Sequence, residues 1–161
     1  MGIATTLKLD SYLPLHDAVD FMNTAYEQTK ALFMLYERVT DIAQKQVIAE
    51  EFCVALKINL DVEKDVLYPA LKQANCDRSI LSAAMMSQSV LSYLIEEVFL
   101  LEKSTAVFDL KLKLLGSQCK DHIKVMRSRV LRHLSKCNDL NLYALRLQMD
   151  AFKNRLVEQL L

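Results

Sequence analysis

Phe52 to Leu71 reads FCVALKINLDVEKDVLYPAL, and its spacing decides the fold class. Phe52, Leu56, Asn59, Glu63, Val66 and Ala70 recur at alternating intervals of four and three residues, which is one face of an α-helix and not the alternation of a strand. Two positions on that face, Asn59 and Glu63, are polar. A polar group on an inward face must find a hydrogen-bond partner or cost about 1–3 kcal/mol, so the stretch predicts a buried helix with a polar interior.

The same rhythm extends outward in both directions. Upstream, Thr40 or Asp41 can cap this helix, which is expected to continue to about Ala74 with Pro69 loosening its last turns. Before it, Leu13 to Val39 contains no glycine, and Pro14 suits a first helical turn. The stripe there is Leu15, Val19, Met22, Tyr26, Phe33 and Tyr36, with a gap at Thr29. Asn75 to Ser79 is a polar connector, and a third helix is expected over about Ile80 to Glu102 with Leu81, Met85, Gln88, Ser92, Ile95 and Phe99 inward. Ser104 or Thr105 would cap a fourth helix, reaching about Ser135, whose stripe Phe108, Leu112, Leu115, Cys119, His122, Met126 and Val130 centres on His122. A fifth helix follows Asn138-Asp139. Connectors this short predict an all-α, up-down-up-down four-helix bundle with an additional C-terminal helix, one domain over residues 1–161 with its core bundle over about 13–136.

Composition agrees. The 161 residues include only two Gly and two Pro, too few turn formers for a sandwich or barrel of many short strands. A chain of this length can bury roughly 70% of its unfolded surface, enough to fold without a metal or disulfide staple. Twenty basic residues balance twenty acidic ones, so the electrostatic footprint of a nucleic-acid or anionic-membrane binder is missing. No apolar run is long enough to span a bilayer, and the N-terminal residues do not form a signal peptide; Gly2 with Thr6 fits only a short, chance-prone myristoylation pattern. Cys53, Cys76, Cys119 and Cys137 are widely spaced without a CxxC, which leads to the expectation of a cytoplasmic protein with reduced thiols.

The residues resemble a known family. Tyr26-x6-Phe33-x2-Tyr36-Glu37, Asn59-x3-Glu63-x2-Val66-x-Tyr68-Pro69-Ala70-Leu71, Gln88 and His122-Ile123-Lys124 together look like the hemerythrin-like (HHE cation-binding) family over roughly residues 20–135. That resemblance implies a four-helix bundle holding a non-haem di-iron centre through histidines and carboxylates. By the same resemblance, the first-helix histidine position falls on Tyr26, the second-helix histidine on Asn59 and the third-helix histidine on Gln88, with Ser92 one turn on. Glu63 and His122 are retained, and the acidic position after His122 is Met126, with Arg127 beside it. Asn and Gln keep size and polarity but are weak ligands beside imidazole. The expectation is a bundle without metal or other cofactor, retaining a polar cavity of Tyr26, Asn59, Glu63, Gln88, Ser92, His122 and Arg127 in which His122 or Arg127 compensates the Glu63 charge. The alternative is an iron-binding or oxygen-sensing protein, mononuclear or di-iron, with Tyr26, Glu63 and His122 as metal ligands.

Other chemistry is poorly supplied. There is no glycine-rich phosphate loop, and Cys119 with His122 has no orienting acid or oxyanion arrangement, so no catalytic residue is assigned. His16 reads as a solvated residue near a helix start and His133 as a cation near a helix C-terminus. On the last helix, Leu142, Leu145, Met149, Phe152, Leu156 and Leu160 form a stripe that Tyr143, Leu147, Val157 and Leu161 widen. A face that broad suggests a homodimer or partner-protein contact through residues 140–161.

Overall fold

Side-chain caps start the long helices. In the computed structural model, which describes residues 17–160, Asp17 accepts from the backbone N–H groups of Val19 and Asp20 in a capping box and starts α1 (Ala18–Arg38). Asp41 caps α2 (Ile42–Val62) through Gln44, Asp77 caps α4 (Arg78–Leu100) through Ser79, and Thr105 caps α5 (Ala106–Val125) through Phe108. Asn141 accepts from Ala144 at the start of α7 (Leu142–Leu160). Each cap satisfies a backbone donor that the helix start leaves open, worth about 1 kcal/mol.

Two helices change pitch. After α2 the chain widens into a π-turn (Glu63–Leu67) before resuming as α3 (Tyr68–Gln73), and after α5 it does so again (Met126–Leu131) before α6 (Arg132–Ser135). In the first, Tyr68 N–H donates to the Glu63 carbonyl five residues back. Pro69 follows directly and has no N–H to continue the ladder, so the loosening expected there occupies the turn before the proline. α3 then ends with Asn75 in the left-handed region (φ 57°), Cys76 N–H reaching the Leu71 carbonyl at 3.0 Å and Asn75 N–H that of Lys72 at 3.2 Å. This is a Schellman-type stop made with asparagine in place of glycine.

Helix is the only regular secondary structure among the described residues, in five long helical stretches once each π-turn is joined to its flanks. α1 lies along α2 and α4 along α5; α2 also touches α4, and α1 touches α5. α7 rests on α1, α2 and the first π-turn. One buried apolar cluster takes residues from every long helix, including Tyr26, Phe52, Leu91, Leu115 and Met149. No helix among the described residues is long and apolar enough to cross a membrane.

Several expectations shift. α1 starts at Ala18, because Asp17 is extended and caps it, whereas the sequence suggested Leu13; Leu13, Pro14, Leu15, His16, Gly2, Thr6 and Leu161 lie outside the described residues. The inward row of α4 is Leu81, Ala84, Gln88, Leu91, Ile95 and Val98, so Met85, Ser92 and Phe99 are exposed. Leu81, Gln88 and Ile95 belong to both rows, and packing selects the one with small Ala84 against its neighbours. On α7, Leu145, Met149 and Val157 are buried while Tyr143 and Leu147 are exposed.

Candidate functional site

A carboxylate sits at the centre of the molecule. Glu63 begins the first π-turn and is fully buried. Tyr26 of α1 donates its hydroxyl to Glu63 Oε1 at 2.6 Å, and Tyr68 donates to Oε2 at 3.2 Å. His122 of α5 places Nε2 2.9 Å from the same Oε2, and Ser87 Oγ of α4 lies 2.8 Å from His122 Nδ1. A carboxylate has only acceptors, so Nε2 carries the hydrogen of that contact and Nδ1 is left to the serine hydroxyl. The chain of contacts therefore joins α1, the first π-turn, α3, α4 and α5.

The π-turn explains one of these partners. In a regular helix, residues five apart point to different faces, so Tyr68 stands off the four-and-three stripe of Glu63. The wider turn brings it round onto the carboxylate. Its hydroxyl also lies 3.5 Å from Met126 Sδ, at the start of the second π-turn, so both irregular turns meet here. Local π-turns occur often at functional positions.

Electrostatics holds the hydroxyls protonated. Burial first, and the Glu63 carboxylate second, push Tyr26 well above the ordinary phenol value, and the same causes raise Tyr68. Burial and then Glu63 push the Cys119 thiol up to about 12, so this cysteine one turn before His122 is a neutral side chain and not a thiolate.

The remaining residues expected at the site divide into separate groups. Asn59 donates to Thr29 Oγ1 at 2.8 Å and reaches the Ala25 carbonyl at 3.4 Å, and Thr29 donates to that carbonyl at 3.0 Å. Gln88 donates to the Leu60 carbonyl at 2.5 Å, tying α4 to α2. Two assignments are corrected. Ser92 is exposed, since it lies on the outer row of α4. Arg127 is not a partner of Glu63: it lies off the inward row that holds Met126 and Val130, and bonds Glu27 at 2.5 Å and Asn23 at 3.0 Å of α1. The expected single polar cavity is thus one Glu63 cluster beside two local hydrogen-bonded sets.

Ser87, Tyr68 and Thr29 were not assigned to the site from sequence. Thr29 was legible, because Tyr26, Thr29, Phe33 and Tyr36 keep the inward spacing without a break. Lys153 was also missed: it is buried on α7 with its ammonium 5.5 Å from the Phe21 ring centroid, within cation–π range.

The donor set does not fit a pair of iron ions. Only one carboxylate and one imidazole converge, and both carboxylate oxygens are engaged by neighbouring hydrogens. Among the described residues no group of three His, Cys, Asp or Glu side chains is arranged to hold a metal ion. No protein-family model, no curated protein and no solved structure matches the chain.

Proposed function

We propose that this chain is a hemerythrin-like, up-down-up-down four-helix bundle with an added C-terminal helix, in which hydrogen bonds around Glu63 replace a lost di-iron site, and that it serves as a non-catalytic binding or regulatory module. One observation carries the reading: Tyr26, Tyr68 and His122 between them donate to both oxygens of Glu63. A buried carboxylate costs several kcal/mol unless opposed by donors or a cation. Three donors on one carboxylate meet that need without a metal. The core is then a stabilised scaffold, and recognition falls to the helix surfaces. The setting we propose is the cytoplasm, in keeping with Cys53, Cys76 and Cys119 each buried as a free thiol.

Metal loading of the whole protein tests this. After incubation with ferrous iron in air, or with zinc, and removal of excess, the metal content should stay far below one ion per chain, and no visible ferric-phenolate band should develop. Stoichiometric metal that disappears in a His122→Ala variant would establish the Tyr26, Glu63 and His122 ligand set instead and overturn the metal-free reading.

A further inference from the structure

We propose that the outer face of α4 and α5 is a self-association surface whose occupant is a second copy of this chain, related by a two-fold axis. On α4, Met86, Val90, Tyr93 and Leu100 follow the four-and-three spacing of a coiled-coil seam on the side away from the core, with Glu97 at the remaining position. Met86 and Leu100 are 72% and 87% exposed, and Tyr93 is 61% exposed. On α5, Val107, Leu110 and Leu114 continue the pattern, and Leu110 is 67% exposed.

The two stripes form one surface. An ion pair between Glu97 and Lys111 bridges the helices and fixes their register. Counting away from that bridge along two helices joined by the short Leu101–Thr105 connector puts Leu100 level with Val107 and Tyr93 level with Leu114. Together these side chains expose on the order of 800 Å², above the roughly 300–600 Å² of the largest patch on a typical monomer and close to the share of each partner in a standard interface.

The chemistry favours a copy of the same chain over a charged partner. Glu97, the one charge within the α4 seam, is already neutralised by Lys111 and accepts from the Tyr93 hydroxyl at 2.7 Å. The chain has zero formal net charge, so two copies approach without mutual repulsion. An apolar face with a neutral centre is complementary to itself, as an isologous contact requires. Seam spacing on both helices lets one pair interdigitate with another at a shallow angle, giving a four-helix interface. The C-terminal helix offers less: Tyr143 and Leu147 stand one turn apart, and Leu160 lies far along the helix.

Sedimentation of the full chain over a micromolar to submillimolar range tests the proposal. The unaltered protein should be a dimer. Val90→Glu with Leu110→Glu should weaken association by about a hundredfold, and Met86→Lys should weaken it too, with circular dichroism spectra unchanged because all three positions are exposed within a single chain. A monomer at every concentration, including one that co-sediments with phosphatidylcholine vesicles, overturns the proposal. So does a dimer indifferent to these substitutions, or one dissociated by Tyr143→Glu with Leu147→Glu instead.

Discussion

About 10 Å along α1, the rise of seven residues, separates two interiors built on opposite plans. Around Tyr26 the core closes on a carboxylate, an imidazole and two phenols, and both helices that cross there depart from regular pitch. Around Phe33 the helices are regular and the filling is aromatic: Phe33 lies 5.3 Å from the Phe52 ring and 6.4 Å from that of Tyr36. α5 approaches this stack at Gly116, where any Cβ would overlap the Phe33 ring. The polar half holds by bringing donors to a buried carboxylate, and its geometry is bought with π-turns. The apolar half depends mainly on shape, with polar contacts only at its edge, where the Tyr36 hydroxyl donates to Asp109 at 2.7 Å.

Breaking the polar half should have the largest effect. Glu63→Ala removes the acceptor for Tyr26, Tyr68 and His122 at once and leaves a cavity, so urea unfolding near neutral pH should show a loss of about 3–5 kcal/mol. Glu63→Gln keeps one acceptor but turns a donor toward groups that already donate, and should cost about 1–3 kcal/mol. An unchanged stability in both variants would mean that the cluster adds nothing to the fold and that Glu63 is not buried among these partners.

The apolar half yields to a smaller change. Gly116→Ala places a methyl group into a buried aromatic ring that has no free end to swing aside, and overpacking of this kind costs about 1–3 kcal/mol. Phe33→Leu in the same chain should recover part of the loss, and a double-mutant cycle reads the coupling directly. Additive effects would separate the two residues. Combined with Glu63→Gln, by contrast, Gly116→Ala should be additive, because the two halves share no partner.

The apolar plan was readable in the sequence and the polar plan only in outline. Regular helices preserve spacing, so Phe33, Phe52, Leu112 and Leu115 could be placed by counting, and the side chains of Asp41 and Thr105 marked helix starts. Glu63 and His122 also fell on inward positions, because each precedes or begins the turn that changes pitch. Beyond the first of those turns, counting at 3.6 residues fails, and Tyr68 comes inward onto Glu63; in the second, Met126 and Val130 stay on the counted inward row, and Arg127, which lies off it, bonds Glu27. Ser87 was missed, and Ser92 wrongly assigned inward, for another reason. α4 carries two apolar rows sharing Leu81, Gln88 and Ile95, and which row faces inward is decided by neighbouring helices that spacing along a single chain does not describe.

Arg127 supplies the sharpest contrast with Glu63, because here a carboxylate meets its donor in water. A hydrogen bond from Arg127 holds the Glu27 carboxyl below its ordinary value; burial is the next influence and opposes it, and the charges of Arg127 and Lys30 add to the lowering. A carboxyl whose folded value is lowered stabilises the fold above its unfolded value, and that contribution disappears as pH falls through the folded one. Arg127→Met should therefore cost under about 1 kcal/mol near neutral pH, and the difference from the parent protein should close as pH falls below the ordinary glutamate range. Raised salt should also shrink it, since the pair is solvated. The loss caused by Glu63→Ala should survive the same salt, because no counter-ion reaches a side chain with no exposed surface. If salt reduced both losses equally, Glu63 would be as wet as Glu27, and the contrast between the buried cluster and the surface pair would fail.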